Sequence, residues 1–414
     1  MRMFKVELKR ILSSRRTLII LGIGLLMSIV MGIMPITYET INYTDSNGAV
    51  ISVEGKKAID YKKSIRSKYN GEITTEKLEN ALTVYQKTVQ ENGNISDESE
   101  SFPLTAYTES ISPIKPVLSK LPEVFADPQT GVGGELKDIP IEDAIKFYDK
   151  AKTHLRDVIS LEYDGNKKIM DKASEMYEKV KTPFSLYGGF SRDAFDYITL
   201  NILILLILCV AIAAPTFAEG YQNGADNILR CTKFGRIPFA MYKVLALFFV
   251  ITIYYLLCMS VQIAILDFSF GTECLKTSMQ MLFSAVGLLS WNLGQLQIAV
   301  VLGGLLSILC MVVFTLFVSA KVKTSLTAVL IPIVFALLPS IVYGAAGGSW
   351  LVYILPSAGI GMQNCLLYQL VDINFLSMGT SGVWTPYIII GGAIVELIVF
   401  WVLSVYSYCR HRVG

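Results

Sequence analysis

The sequence predicts a mainly α-helical, polytopic membrane protein with six transmembrane helices, and three observations lead to this prediction. The chain of 414 residues is 53% hydrophobic and only 17% charged, with a mean hydropathy of +0.50, which is too apolar for an ordinary soluble protein. Its apolar residues form stretches of roughly 20, the number that an α-helix needs to cross about 30 Å of hydrocarbon. Its basic residues cluster in alternate connections between those stretches.

The six apolar stretches cover residues 17–36, 197–218, 239–266, 296–319, 325–345 and 386–408. Basic residues precede the first stretch, as they do in a secretory signal peptide. However, this stretch is longer than the apolar region of a signal peptide, and Thr37, Tyr38 and Glu39 after it offer no small-residue cleavage site. We therefore expect residues 17–36 to remain as the first transmembrane helix.

The positions of lysine and arginine predict the orientation of the chain. Basic residues near helix ends are retained in the cytoplasm. Those that flank the stretches all fall on one predicted side: Arg2, Lys5, Lys9, Arg10, Arg15, Arg16, Arg230, Lys233, Arg236, Lys243, Lys321, Lys323, Arg410 and Arg412. The two short connections on the other side contain only Lys276. An even number of spans then places both termini in the cytoplasm.

Residues 37–195, between the first two spans, are predicted to form a mainly helical extracellular domain. Two Lys- and Glu-rich stretches, about 56–91 and 140–182, favour helices, and Leu78, Leu82 and Tyr85 lie at helix spacing within the first. The proline-containing region 92–140 is expected to be irregular. Residues 196–414 then hold transmembrane helices 2–6.

Two further external segments, 271–295 and 346–385, are too apolar for plain loops. The second contains Trp350, Tyr353, Tyr368 and Trp384 and has no lysine or arginine. Interfacial helices or re-entrant hairpins would suit such a composition, provided that their backbone packs against protein. A surface loop in contact with water is the alternative.

Neither a nucleotide-hydrolysing nor a metal-dependent enzyme is indicated. The chain has no GxxxxGK[ST] loop, no HExxH and no GxSxG. Its seven cysteines include no CxxC pair, and it has two histidines. We therefore expect no catalytic residues, no metal site and no cofactor bound by this chain. The net charge of +2 gives no reason to expect a nucleic-acid partner.

Residues 1–16 have the pattern of a helix that lies in the cytoplasmic membrane interface. One face carries Phe4, Leu8, Ile11 and Leu12. Another carries Arg2, Lys5 and Lys9. Apolar residues of this kind contact acyl chains, while cations lie near anionic headgroups at about 1 kcal/mol each. The alternative is that the basic residues serve only to orient the first span.

The connection between the second and third spans, residues 219–238, is called here the coupling segment. Its composition resembles that of ABC-2 type transporter permeases, in which an acidic residue ends the second span and a short cytoplasmic helix follows. A small residue and an arginine then open the third span, with a lysine one or two turns later. The matching residues are Glu219, Gly224, Leu229, Gly235, Arg236 and Lys243, and Arg230 and Lys233 lie among them.

This resemblance extends to the amphipathic N-terminus, the six spans and the Leu355-Pro356 segment. It implies two copies of a separate ATPase, which would bind ATP and Mg²⁺, a second permease, identical or related, and contact with membrane lipid. It also implies export of an amphiphile, such as a peptide antibiotic, lipid or drug, or of an ion, across a plasma membrane of the Gram-positive bacterial kind. The enlarged first external loop departs from the compact family members. A membrane sensor that relays ATPase motion to the external domain is the alternative.

Glu396 lies near the middle of the last apolar stretch. A carboxylate at that depth costs about 2.5–3.5 kcal/mol on membrane-insertion scales. Such residues usually face protein or a water-filled cavity. Glu396 is therefore either part of a translocation path or a protonated acid that is hydrogen-bonded to another helix.

Overall fold

The computed structural model describes residues 2–44, 48–127, 129–232, 235–346, 350–360, 366–379 and 381–411. Within these ranges the chain is mainly helical, and six helices are long and apolar enough to span a membrane. They are Arg15–Thr37, Arg192–Gln222, Ile237–Phe270, Leu293–Ser319, Ser325–Val342 and Thr385–Arg410. Each covers one of the apolar stretches of the sequence. The prediction of a mainly helical protein with six membrane-compatible helices is therefore confirmed.

The chain begins with helix α1 (Arg2–Ser13), which is followed directly by the first long helix, α2 (Arg15–Thr37). Ser14 separates the two helices in an extended conformation. Its hydroxyl accepts a hydrogen bond from the backbone N–H of Thr17 at 3.5 Å, which caps the start of α2. The amphipathic N-terminus is thus a helix distinct from the first span.

The insert domain, residues 38–191, connects α2 to the second long helix. Its elements are β1 (Thr40–Thr44), β2 (Val50–Glu54), α3 (Gly55–Arg66), β3 (Gly71–Glu72), α4 (Thr75–Glu91), α5 (Leu104–Ala106), a π-helical turn (Tyr107–Ile111), α6 (Lys115–Leu118), α7 (Leu121–Val124), α8 (Ile141–Ala144), α9 (Phe147–Glu162), α10 (Lys167–Glu178) and β4 (Ser185–Leu186). Strands β1 and β2 form an antiparallel hairpin, and β3 pairs antiparallel with β4. The domain is mainly helical, with these short strand pairs added.

Region 92–140 is more ordered than the sequence indicates. It contains α5, the π-helical turn, α6 and α7, and Ile111, Leu118 and Leu121 are fully buried there. Pro116 and Pro122 lie in the first turns of α6 and α7, where the missing N–H of proline costs no helical hydrogen bond. Helices of three to five residues are too short to show a periodic pattern, and for this reason the sequence did not predict them.

The remaining elements form most of the bundle. They are α11 (Arg192–Ala213), α12 (Pro215–Gln222), α13 (Ala225–Arg230), α14 (Ile237–Phe270), α15 (Met279–Leu282), α16 (Leu293–Ser319), α17 (Ser325–Ala346), α18 (Leu351–Ile354), α19 (Leu366–Val371), β5 (Phe375–Met378), β6 (Ser381–Trp384) and α20 (Thr385–Arg410). Helix α14, with 34 residues, is about 51 Å long at 1.5 Å per residue. It is therefore longer than a hydrocarbon core of about 30 Å requires.

Helix α16 is the central helix of the bundle. It packs against α11, α14, α17 and α20, and 67% of its most apolar window is buried, against 17% for α20. Helices α2, α11 and α14 form a second packed group around a polar network. In this network the Asn201 side-chain amide donates to Ser28 Oγ at 3.1 Å and to Gln262 Oε1 at 2.8 Å. Such hydrogen bonds hold helices together in an apolar environment.

The bundle has two ends that differ in what they carry. The terminal end carries α1, the coupling segment and the C-terminal end of α20. The domain end carries the insert domain. Because α2 runs from the terminal end to the insert domain and five further long helices follow, the chain returns to the terminal end at Arg410.

Segment 271–295 lies against the insert domain. The Tyr177 hydroxyl donates to the Ala285 carbonyl at 3.0 Å, and the Lys181 backbone N–H donates to Ser290 Oγ at 3.0 Å. The carbonyl oxygen of Ser185 accepts from the backbone N–H of Ser278 at 2.9 Å. This segment therefore forms a platform on which the insert domain rests.

Segment 346–385 returns into the helical bundle before it reaches the insert domain. The Ser307 hydroxyl of α16 donates to the Ala358 carbonyl at 3.2 Å, and Ser357 Oγ donates to the Ala336 carbonyl of α17 at 3.0 Å. Ser307 lies 14 residues, about 21 Å, along α16 from Leu293. The described residues 350–360 therefore pack against the middle of α16 and against α17.

Candidate functional site

The coupling segment begins in α12, contains α13 and ends in the first turn of α14. Gly224 lies between α12 and α13 with φ +73°, in the left-handed region. A side chain at this position would be strained, so glycine suits the turn that reverses the chain into α13. Lys233, which the sequence places among the coupling residues, lies outside the residues that the structure describes.

A single hydroxyl attaches the start of α12 to the central helix. Ser319 Oγ, fully buried at the end of α16, accepts from the backbone N–H groups of Phe217 and Ala218 at 3.1 and 3.0 Å. It donates to the carbonyl of Ala214 at 2.6 Å. Pro215 interrupts the helical hydrogen bonding here because it has no N–H. Ser319 thus satisfies three backbone groups at the junction of α11 and α12.

Arg230 attaches the end of α13 to the end of α20. Its Nε lies 2.5 Å from Asp226 Oδ2, and its Nη1 donates to the His411 carbonyl at 2.6 Å. The guanidinium also lies over the Tyr408 ring, 4.7 Å from the centroid. The side chains of Arg230 and Asp226 are only 10% and 5% exposed, so the ion pair is largely protected from water.

The ring of His411 completes this contact. It stacks on Tyr221 at 3.9 Å between centroids and 6° between planes. Burial lowers the pKa of His411 below its usual value, and the nearby positive charge of Arg230 lowers it further. The neutral imidazole is therefore favoured at neutral pH, in keeping with a ring that stacks beside a cation.

Lys243 attaches α12 to the start of α14. Its Nζ donates to the Thr216 carbonyl at 2.7 Å, and its side chain is buried. The ammonium lies 4.8 Å from the centroid of Phe239 and 5.4 Å from that of Phe217. A backbone carbonyl and two aromatic faces compensate in part for the cost of burying this cation.

A cavity of about 280 Å³ separates the coupling segment from α1. Arg10 of α1 lines one side of the cavity. Glu219, Asp226 and Lys243 line the side that faces α1. Leu229 also lines it, and this side chain is half-buried. The N-terminal helix and the coupling segment, which are more than 200 residues apart in the chain, thus face each other across a charged cleft.

Helix α1 has the two faces that its sequence predicts. Arg2, Lys5 and Lys9 are exposed. Phe4 makes an edge-on contact with Phe249 of α14, with 6.0 Å between ring centroids. Leu8 lines an apolar groove of about 350 Å³ between α1, α2 and α14.

The outer surface of the coupling segment is exposed and partly apolar. The side chain of Ile228, on α13, is 75% exposed, and Ile237 at the start of α14 is 60% exposed. Glu219, Cys231 and Arg236 are also exposed. The predicted coupling residues therefore divide into two groups. Arg230, Lys243 and Leu229 hold the segment in place, and Glu219 and Arg236 face outward.

Glu396 lies far from this site, in the middle of α20. Its side chain is partly buried against α16, and the Cys310 thiol donates to Glu396 Oε2 at 3.1 Å. The contact joins the two helices at mid-span. Both interpretations of Glu396, a translocation-path residue and a packed acid, remain predictions.

Sequence reasoning missed Ser319, Thr216, Tyr408 and His411, all of which hold the coupling segment. A serine and an aromatic residue near helix ends are common, so neither residue type gives a signal by itself. Only the break at Pro215, which leaves backbone groups unpaired, could have suggested that a partner such as Ser319 must exist.

The described contacts anchor α12 and α13 to the helix ends around them and leave Ile228 exposed. Comparison with known proteins finds no family model that matches this chain and no curated protein that matches it significantly.

Proposed function

We propose that this chain is the membrane-spanning permease subunit of an ABC transporter, which exports an amphiphilic substrate or an ion and is driven by a separate ATPase. The observation that carries this proposal is the exposed apolar tip of the coupling segment at Ile228. Arg230 attaches that segment to the end of α20, and the first turn of α12, from which the segment continues, is attached to α16 and α14.

Force applied to α13 would reach the bundle through these contacts. Helix α12 continues α11, Ser319 attaches it to α16, and Lys243 attaches it to α14. Arg230 attaches α13 to the end of α20. An ATPase that grips α13 and changes shape on binding ATP and Mg²⁺ would therefore shift four helix ends together, as in a shear or hinge transition.

The terminal end faces the cytoplasm in this proposal, in a bacterial plasma membrane of the Gram-positive kind. The exposed cations Arg2, Lys5 and Lys9 of α1 support it, because such residues favour the cytoplasmic leaflet. The insert domain is then extracellular. A second permease, identical or related, completes the complex with two ATPase copies, and lipid covers the remaining apolar surface.

The test of the proposal is site-specific crosslinking in cells that also express the ATPase encoded nearest to this chain. A photo-crosslinking amino acid at Ile228 should form an adduct with a P-loop ATPase, identified by mass spectrometry. The same amino acid at Ile145, a 51% exposed isoleucine of the insert domain, is the matched control. Adducts at Ile228 that contain no ATPase would contradict the proposal.

Orientation is tested separately with membrane-impermeant maleimide on intact cells. In a Cys231→Ser background, a cysteine at Ser160 of the insert domain should be labelled, and a cysteine at Thr232 should be labelled only after the cells are opened. Both positions are exposed, so accessibility alone cannot produce the difference. Labelling of Thr232 from outside would reverse the proposed orientation.

A membrane sensor that transmits ATPase motion to the insert domain is the second candidate. The observation in its favour is the firm attachment of the insert domain to segment 271–295, for example between Tyr177 and Ala285. Reconstitution in vesicles distinguishes the two functions. A transporter moves solute when ATP is hydrolysed, whereas a sensor hydrolyses ATP without solute movement.

A further inference from the structure

A second polar cavity, of about 260 Å³, lies between the insert domain and the domain end of the bundle. Two cations line it, Arg66 of α3 and Lys120 between α6 and α7. Thr277 contributes a hydroxyl. Phe190 and Leu293, which adjoin the first turns of α11 and α16, contribute apolar surface. The cavity thus combines positive charge with an apolar side that borders the membrane-compatible helices.

Both cations are withdrawn from water. Arg66 Nε is buried and has no hydrogen-bond partner in the part of the chain that the structure describes. Lys120 is only 8% exposed, and its Nζ donates to the Phe283 carbonyl at 2.6 Å. Burial lowers the pKa of both side chains. A buried cation whose charge is only partly compensated is costly, so these surroundings favour an additional negative charge.

The two carboxylates nearest these cations are engaged elsewhere. Glu39, which attracts Arg66, forms an ion pair with Lys62 at 2.6 Å. Glu123 Oε1 accepts from Ser284 Oγ at 2.6 Å and from the Ala285 backbone N–H at 2.9 Å. The other oxygen of Glu123 lies 3.6 Å from Lys120 Nζ.

Further charged groups lie close to the two cations that line the cavity. Arg192, at the start of α11, is close enough to Lys120 to lower the pKa of its ammonium group. Lys63 approaches from the side of Gly271, at the end of α14. Arg192 is attracted by Asp372, so Arg66 and Lys120 are the cations that line the cavity itself, and the carboxylates of Glu39 and Glu123 near them have other partners as well.

We propose that this cavity binds the phosphate group of an amphiphile, held by Arg66 and Lys120, with the apolar part of the molecule directed along Phe190 and Leu293. A guanidinium can bind a phosphate through two parallel hydrogen bonds, and an ammonium contributes a further point charge. The Thr277 hydroxyl donates to the Tyr187 carbonyl at 3.1 Å and so fixes this wall of the cavity. The neighbouring helix ends place acyl chains beside the bilayer, where a phospholipid-like ligand lies.

The proposal is independent of the ATPase, and its test uses the full-length protein in a neutral detergent. Thermal unfolding is followed with inorganic phosphate, with short-chain phosphatidic acid and with the matching uncharged diacylglycerol. We expect phosphatidic acid to raise the melting temperature progressively, with the logarithm of its concentration above the Kd, as a ligand of the folded state does. Diacylglycerol should leave the melting temperature unchanged.

Arg66→Gln should weaken the binding of phosphatidic acid at least tenfold and should not lower the melting temperature of the ligand-free protein, because it removes an unpaired buried cation. Arg156→Gln, which removes an exposed arginine of α9, is the matched control and should bind as the wild type does. Stabilisation by inorganic phosphate as well would identify the free anion as sufficient. Stabilisation by phosphatidic acid alone would identify the lipid as the ligand.

Either of these two results supports the site. The proposal is overturned if neither phosphate compound stabilises the wild type, or if Arg66→Gln binds phosphatidic acid as tightly as Arg156→Gln does. It is also overturned if diacylglycerol stabilises the protein as much as phosphatidic acid, since the charge would then make no contribution.

Discussion

The two ends of the bundle differ in how completely they are packed. At the domain end, the insert domain is bonded to the backbone of segment 271–295 and of the β5–β6 hairpin. Tyr163, for example, donates to the Ile373 carbonyl at 3.1 Å, and its hydroxyl accepts from the Phe375 N–H at 2.9 Å. At the terminal end, a few side chains hold a short segment whose tip, Ile228, is 75% exposed.

This difference bears on where the proposed ATPase partner would bind. At the domain end, side chains of the insert domain form hydrogen bonds with backbone groups of the neighbouring segments. The interface at this end is therefore complete within one chain. An isoleucine that projects from a firmly anchored helix leaves apolar area uncovered in the presence of water. At a protein interface, such a residue can supply much of the binding free energy. The terminal end therefore has the character of half an interface, and four predictions test this contrast.

The largest effect is expected from Ile228→Asp. A charge in place of the apolar tip should reduce ATPase binding at least about 30-fold, which corresponds to about 2 kcal/mol. Co-purification and ATPase-coupled transport measure the loss. The matched control is Ile145→Asp in the insert domain, which should bind the ATPase as the wild type does. Equal binding by both variants would show that the terminal end is not the docking surface.

The second prediction concerns the domain end. Glu123→Ala removes the acceptor of two hydrogen bonds, from Ser284 and from the Ala285 N–H, and leaves Lys120 without its nearby carboxylate. We expect a loss of about 1–3 kcal/mol of stability, seen as a lower melting temperature and faster amide exchange in residues 277–291.

Glu98→Ala is the control for this change, because the side chain of Glu98 is 80% exposed. It should alter neither the melting temperature nor the exchange. ATPase binding should be unchanged in both variants. A loss of ATPase binding in Glu123→Ala would contradict the separation of the two ends.

Ser319→Ala should have a smaller effect, confined to the terminal end. It removes the acceptor for the Phe217 and Ala218 N–H groups and the donor to Ala214, with an expected cost of about 1–2 kcal/mol, because water reaches a helix end more readily than a core. The ATPase should still bind, but less transport should result from each ATP hydrolysed. Thr327→Ala, which removes an exposed hydroxyl that bonds Thr324 near the same end of the bundle, is the control. Unchanged coupling in Ser319→Ala would remove this serine from the proposed path of force.

The same contrast explains what could be predicted from the sequence. The six long helices follow from hydropathy, because a spanning helix must hide all of its backbone polar groups and must be apolar along its length. The exposed basic residues of α1 follow from helix periodicity. These features are local in the chain.

Features that depend on distant partners could not be predicted in this way. Ser319 and Phe217 are about 100 residues apart, and Arg230 meets His411 across 181 residues. The Arg66–Lys120 cavity joins two parts of the insert domain with segment 271–295. The short helices of region 92–140 fall below the length at which periodicity is informative.

The smallest effect is expected at Glu396, midway between the two ends. Its contact with Cys310 joins α16 to α20, the two helices through which motion would pass from the coupling segment towards the insert domain. Glu396→Gln keeps an oxygen that can accept from the Cys310 thiol. If the residue is a packed acid, this variant should transport as the wild type does, with an unchanged pH profile and a stability change below about 1 kcal/mol.

Glu396→Leu separates the two interpretations more sharply. It removes a carboxyl whose insertion in charged form costs about 2.5–3.5 kcal/mol, so expression or thermal stability should rise. Val395→Gln, which places an amide on the neighbouring 59% exposed position, is the control and should lower both. We expect Glu396→Leu to retain transport, because α16 and α20 pack along their length and can move together without the acid. A stable Glu396→Leu protein that binds the ATPase but does not transport would instead place Glu396 in the translocation path.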